Sequence, residues 1–369
     1  MTADPVLFDS IPCGGYSIGI ATLNNPSRLN SLDIRMIELL HRQLDEWAAN
    51  ERVALVVLQG TGDRAFCAGG DSRNITDAIA AGDLAVAQRY FAAEYRLDHL
   101  IHTFPKPILA WCHGVIMGGG LGLMQGASHR VVTDSAVLAM PEIGIGLFPD
   151  VGAAWFMQRM PGRLGLFCGL TGARLGPLDA TRCGLADYRM SDEDHANLFG
   201  LLTRLPLGPD PVRNHEAVSR LLQDFRTKGG TSGFLDRIES INAVTDHRAP
   251  LPLRDALAAA AQDDEWYLPC AERVAAGSPT TFALVLEQFR RCRHLSLREV
   301  LQLDLVIAMR CCQQSDFPEG VRALLIDKDG NPRWSPRRLE EVEPATVEQY
   351  FLPPWTGEHP LADLAGSMQ

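Results

Sequence analysis

KPILAWCHGVIMGGGLGLMQGASHRVVTDSAVLAMPEIGIGLFPDVG, residues 106–152, sets a glycine triplet between two apolar runs. Ile108–Cys112 is short and unbroken in its apolar character, which predicts a buried strand. Gly118, Gly119 and Gly120 follow, and then a second apolar run. Lacking Cβ atoms, these glycines let the backbone close against whatever sits beside it. A helix that begins at the triplet leaves its first N–H groups without helical partners, and such groups favour a developing negative charge. Further along lie two acids in apolar surroundings, Glu142 in MPEIGIG and Asp150 in LFPDVG. Main-chain donors followed by two nearly buried carboxylates suit acyl chemistry.

Upstream, Val53–Leu58 is continuously apolar and predicts an interior strand, leading into the turn Gly60-Thr61-Gly62-Asp63-Arg64. Next comes Ala65-Phe66-Cys67-Ala68-Gly69-Gly70-Asp71, with a helical pattern from Asn74. The chain therefore has two glycine-rich bends able to offer N–H groups, and an oxyanion hole needs two donors, often from separate segments. Tyr16–Leu23 alternates and ends at Asn24-Asn25-Pro26, as a strand followed by a turn does. Gly15-Tyr16-Ser17-Ile18-Gly19 matches the G-x-S-x-G nucleophile pattern. That pattern requires strand, sharp turn and helix, whereas this strand runs on through Ser17, so the match reads as chance. Leu32–Trp47 has helical apolar spacing, with Ser31 as the expected N-cap.

Downstream of Gly152 the pattern is mostly helical to Thr203, until Leu205-Pro206-Leu207-Gly208-Pro209-Asp210-Pro211 breaks it. A boundary is expected there, separating a core, residues 1–205, from a helical region, residues 206–369. Ser278-Pro279 predicts an N-cap with proline at the first helical position. Ser296 and Glu299 form a capping box. Gly320–Asp327 keeps an apolar rhythm, and Leu352-Pro353-Pro354-Trp355 is expected to end the ordered part, with the last few residues loose.

Size and composition bound the rest. The chain has 369 residues, 46% of them hydrophobic, enough for a sizeable core in one or two domains. A net charge of -11 argues against a nucleic-acid partner, which would call for a basic face. The nine cysteines are irregularly spaced and without C-x-x-C, so they read as reduced core thiols of a cytosolic protein. His99 and His102 would share a helix face, but no further ligand completes a metal set, and no metal is expected. The opening MTADPVLF has neither Lys nor Arg and no apolar run, so neither a secretory nor a transit signal is expected, and a cytoplasmic placement follows. Pro107–Ala127 carries no formal charge, yet its glycines, His113 and Gln125 fit a buried strand and helix better than a lipid-facing span, so no membrane partner is expected.

AFCAGGDSRNI, HGVIMGGGLGL and MPEIGIGLFPDVG, in this order and spacing, resemble the enoyl-CoA hydratase/isomerase (crotonase) superfamily. SPTTFALVLEQF with DFPEGVRALLIDKDGNPRW is similar to one branch of it, the 3-hydroxyisobutyryl-CoA hydrolases. The likeness covers the chain from Tyr16 to about Trp334. It implies an α/β fold, a crotonase-like spiral of ββα turns with a C-terminal all-helical extension. It also implies an acyl-CoA thioester as substrate, with CoA entering as part of that substrate and no separate cofactor. On the matching positions the thioester carbonyl is held between the N–H groups of Gly70 and Gly119, and the acids Glu142 and Asp150 carry the chemistry. Glu94, in AAEYRL, matches an acidic position associated with substrate binding. One departure from the hydratases is informative: their triplet is followed two residues later by a glutamate, and this chain has Gly122 there. A homo-oligomer is one alternative for the assembly, although the helical extension would cover surfaces through which other superfamily members form trimers.

Attack on a thioester carbonyl puts negative charge on oxygen, and each preorganised N–H donor lowers that barrier by roughly 3 kcal/mol. Glu142 either attacks directly, giving a mixed anhydride, or deprotonates a water. Asp150 would position that water or proton, or hold the substrate's 3-hydroxyl. Apolar walls and the neighbouring carboxylate should raise one acid's pKa. Plainer roles fit the same residues. The glycines also suit tight turns, Glu142 a helix start, Asp150 the cap of a helix near Val151, and Asp71 an N-cap. Three functions follow: a hydrolase acting on 3-hydroxyisobutyryl-CoA in valine breakdown, an enoyl-CoA hydratase or isomerase, and a non-catalytic scaffold. Arg28, Arg73 and Lys106 are the candidate contacts for CoA phosphates.

Overall fold

The computed structural model describes residues 4–225 and 229–366. Of the tail expected to be loose, residues 367–369 lie outside that range. The strands among the described residues are β1 (Val6–Cys13), β2 (Tyr16–Leu23), β3 (Val53–Gly60), β4 (Ala65–Cys67), β5 (Ile108–Cys112), β6 (Val115–Met117), β7 (His129–Thr133), β8 (Val137–Ala139) and β9 (Tyr188–Met190). Six form one sheet in the order β1-β2-β3-β5-β7-β9, and three short ones form a second, β4-β6-β8. β1 runs antiparallel to β2, and every later pair in the large sheet is parallel. From β3 onward the chain gives a strand to the large sheet, then a short strand to the small one, then helix. This is the expected ββα spiral. β1 and β9 close the two edges of the large sheet and were not anticipated. β9 is three residues long, too short to show a period of two.

Packing divides the chain into two units, each built from three separated segments. The first comprises Met1–Gly70, Arg96–Leu138 and Leu175–Asp236 and holds the large sheet. The second comprises Asp71–Tyr95, Ala139–Arg174 and Arg237–Gln369. This partition differs from one drawn after residue 205, because the helix Pro211–Phe225 packs with the sheet of the first unit. Alternate residues of the parallel strands, Ile18 and Ile20, Leu55 and Val57, Leu109 and Trp111, form one buried cluster with Leu198, Leu202, Val218 and Leu222 from two helices. On the helix Ile34–Ala49 the buried residues are Met36, Ile37, Leu40, Leu44 and Trp47, a stripe at helical spacing. A Cβ on Gly19 would lie 2.8 Å from Trp47, so this glycine of the Gly15–Gly19 pattern serves packing. Ser17 stays within β2.

Several helix ends differ from, or match, the reading of the sequence. Asp33, not Ser31, caps Ile34–Ala49, its carboxylate accepting from Met36 N at 2.8 Å. The start moves because Leu32 is drawn into a bridge with Gly70. Asp71 caps Ser72–Ala80, Ser278 caps Pro279–Cys292, and the Ser296/Glu299 box opens Leu297–Cys312. Order does not end at Trp355: Leu361 is fully buried, and its carbonyl accepts from Gln302 Nε2 at 3.0 Å. All nine cysteines are buried and free. No helix among the described residues is long and apolar enough to cross a membrane.

Candidate active site

The two glycine bends belong to the first unit, and the structure brings them together. β4 ends at Cys67, and the chain turns through Gly69 at φ +102°. The Leu32 amide donates to the Gly69 carbonyl at 2.8 Å, and Leu32 pairs with Gly70. β6 ends at Met117, Gly118 takes φ +50°, and the helix Gly119–Gly126 begins. A Cβ on Gly69 would stand 3.6 Å from Gly119 N, and one on Gly120 only 2.2 Å from the Cys67 carbonyl. Glycine at position 120 is therefore what lets the bends touch. As the first residue of its helix, Gly119 has an N–H that no preceding turn accepts. Gly122 is buried one turn into that helix.

The acids belong to the second unit. Glu94 is 2% exposed, Glu142 and Asp150 5% each, and all are raised above ordinary carboxyl pKa values. Burial is the main cause for each. Asp150 is pushed up to about 6, held back by a hydrogen bond from Tyr95. Its charge adds to the effect of burial on Glu142 and Glu94, both of which lie well above their usual range.

Glu142 opens a short 3-10 turn, Glu142–Ile145, as a helix-start carboxylate would. Yet its Oε2 is buried without a hydrogen-bond partner, which is costly unless a ligand or reaction uses it. Asp150 does not cap the next helix: Gly152 is the N-cap of Ala153–Phe156, at φ +78°. The Asp150 carboxylate instead accepts from Tyr95 Oη at 2.8 Å. Val151 holds φ +51°, a conformation that costs a β-branched residue about 1–3 kcal/mol. Glu94 accepts a long bond, 3.5 Å, from Tyr90 one helical turn earlier.

Three residues of this cluster escaped the reading of the sequence. Tyr95 follows Glu94 on the helix Leu84–His102 and is fully buried. Asp304 and Gln288 are also fully buried. Asp304 offered a signal, a single acid in the mostly apolar stretch Leu301–Met309, where Gln302 is the other polar residue. Tyr95 offered none, since a tyrosine on a buried helix face is ordinary core. Of the basic candidates, Lys106 is committed elsewhere: its ammonium donates to the Trp47 and Asn50 carbonyls, 2.6 Å each, at a helix end. Arg73 donates to the Leu325 carbonyl, and Arg28 is exposed on the turn Pro26–Arg28. Among the described residues no group of three or more His, Cys, Asp and Glu side chains is arranged to hold a metal ion.

Comparison with known proteins agrees with the topology. The enoyl-CoA hydratase/isomerase family profile matches residues 18–351. The mitochondrial 3-hydroxyisobutyryl-CoA hydrolase of Xenopus tropicalis is 36% identical over 90% of this chain and 86% of its own length. The human protein of the same name is 34% identical over 95% and 89%. In Arabidopsis thaliana, 3-hydroxyisobutyryl-CoA hydrolase 1 is 35% identical over 91% and 89%. Among solved structures, a carnitinyl-CoA dehydratase from Mycobacterium thermoresistibile superposes with TM-score 0.85 at 33% identity, covering 95% of this chain and 97% of its own. An enoyl-CoA hydratase from Rhodobacter sphaeroides superposes with TM-score 0.84 at 33% identity, covering 95% and 98%. With the spiral of ββα turns, the paired glycine bends and a profile match over most of its length, the chain belongs to the enoyl-CoA hydratase/isomerase family.

Proposed function

We propose that this protein hydrolyses a short branched 3-hydroxyacyl-CoA thioester, 3-hydroxyisobutyryl-CoA, to 3-hydroxyisobutyrate and CoA, a step of valine breakdown. The observation that carries this reading is the unpartnered, buried Oε2 of Glu142 in a cluster with Asp150, while position 122 is glycine. A hydratase of the two-glutamate kind needs a second carboxylate at that point, and glycine has none to offer. Curated relatives over most of the chain carry the hydrolase name.

In this reading the Gly70 and Gly119 amides receive the thioester oxygen as it becomes an oxyanion. Glu142 supplies the electron pair, either to the carbonyl carbon or to a proton of the attacking water. Asp150 positions the water or the substrate hydroxyl, and Glu94 lies against the bound substrate. The C–S bond breaks, CoA leaves as its thiolate and takes a proton, and the water oxygen stays in the acid. CoA enters as part of the substrate, and no separate cofactor takes part.

The test is release of free thiol from 3-hydroxyisobutyryl-CoA by the wild type and by Glu142→Gln. We expect the substitution to lower kcat by about 10²- to 10⁴-fold, the range of a positioned acid–base group. Equal rates would remove Glu142 from the reaction. The names of the two solved structures favour a second reading, water addition to an enoyl-CoA. Turnover of crotonyl-CoA without thiol release would support it instead.

A further inference from the structure

The segment carrying Asp150 is held on both sides by side chains that play no part in the chemistry above. Gly152 N donates to Asp304 Oδ2 at 2.9 Å. Gln288 Nε2 donates to the Pro149 carbonyl at 2.9 Å and to Asp304 Oδ1 at 3.0 Å. A carbonyl only accepts, so the Pro149 contact fixes which end of the Gln288 amide faces it. Asp304 therefore accepts through both oxygens, one bond direct and one relayed, and together they grip residues 149 and 152.

Asp304 and Gln288 are both fully buried, on the helices Leu297–Cys312 and Pro279–Cys292. Burying an acid here is unfavourable: desolvation raises its pKa well above the usual carboxyl range, and the nearby Asp150 raises it further. The segment it grips is itself unfavourable, with Val151 at φ +51°. A cheaper turn would need neither. What the arrangement achieves is a fixed backbone on each side of Asp150, while Tyr95 fixes its carboxylate from a third helix.

We infer that Asp304, with Gln288, is a positioning residue that sets the Asp150 carboxylate for thioester hydrolysis. The inference rests on the proposed role of Asp150, so its test must separate the two. Asp304→Asn keeps the shape but turns one acceptor into a donor, against either Gly152 N–H or Gln288 Nε2. In the full chain, with 3-hydroxyisobutyryl-CoA and thiol release as the readout, kcat should fall about 10- to 100-fold, as misplacement of a reacting group by an ångström does. KM should stay within about 2-fold, because a positioning loss is felt in turnover rather than in substrate binding. In an Asp150→Asn background the same substitution should cost less than about 2-fold further, since two changes acting through one group do not add. A folded Asp304→Asn protein with wild-type kcat overturns the inference, as does an undiminished loss in the Asp150→Asn background. Asp150→Asn alone with wild-type activity would instead overturn the role of Asp150, and this inference with it. Should Asp304→Asn fail to fold, Gln288→Met removes the Pro149 anchor while leaving the Gly152 bond. It should show the same split between kcat and KM, and wild-type kcat there overturns the inference equally.

Discussion

The Tyr95 hydroxyl donates a 2.8 Å hydrogen bond to Asp150 Oδ2, and both side chains are buried. A hydroxyl in that place favours the charged form of the acid, so Tyr95 works against the desolvation that pushes Asp150 up to about 6. Removing it in Tyr95→Phe leaves an ionised carboxylate with one donor fewer. The loss should be about 1–3 kcal/mol at pH 8, where Asp150 is charged. It should be smaller at pH 5, where the acid is mostly protonated. Urea unfolding of both proteins at the two pH values measures this, and an equal loss at both would detach Tyr95 from the ionisation of Asp150.

Asp150 itself should make the folded protein less stable at alkaline pH. Its folded pKa, about 6, lies above the ordinary 3.8, so the native state binds the proton more tightly than the unfolded chain. The contribution of the protonated form is fully present below 3.8 and is lost as pH rises through 6. Asp150→Asn, which keeps the acceptor for Tyr95 and never ionises, should therefore be more stable than wild type at pH 8 by up to about 3 kcal/mol. Below pH 4 the two proteins should unfold alike. A gain that is independent of pH would contradict the assignment.

The same charge has a kinetic consequence. Burial and, after it, ionised Asp150 raise the Glu142 carboxyl, and in the proposed mechanism Glu142 must lose its proton before it can attack or accept one. Turnover should rise with pH until Glu142 ionises. In Asp150→Asn the residual activity should show that rise displaced to lower pH, because the repelling charge is gone. A pH profile of kcat for the two proteins decides it; a displacement to higher pH would mean that another group governs the limb.

How much of this could be read from sequence depended on how local the signal was. Glu142 and Asp150 were visible because each is a lone acid beside Pro141 or Pro149 in an apolar, glycine-rich stretch. The bends at Gly69-Gly70 and Gly118-Gly120 were visible because strand patterns lead into them. Their contact was not, since it depends on Gly120 meeting the Cys67 carbonyl some fifty residues earlier. The helix start at Ile34 moved from the expected place for the same reason: Leu32 is engaged by Gly70, a partner remote in the chain. Tyr95 and Gln288 look like ordinary helix residues, and only folding shows what they hold. Resemblance supplied Glu94, which periodicity alone left as one polar residue on a helix.

Gly120 offers a test of whether contact between the bends matters. A Cβ there would lie 2.2 Å from the Cys67 carbonyl and 2.8 Å from the Cys67 Cβ, and the first of these is backbone, which cannot rotate away. Gly120→Ala should push the Gly119 helix start away from the strand that feeds Gly69 and Gly70. Overpacking of this kind costs about 1–3 kcal/mol, and the displaced donors should lower kcat as well. Gly200→Ala is the control, in the helix His195–Leu202, where a Cβ meets nothing within 4 Å. There the change should be neutral or stabilising by up to about 1 kcal/mol, through helix propensity alone. Thermal unfolding and thiol release on both variants separate the effects. If Gly120→Ala keeps wild-type kcat while losing stability, the two bends do not act as a pair, and the oxyanion role of Gly70 with Gly119 falls.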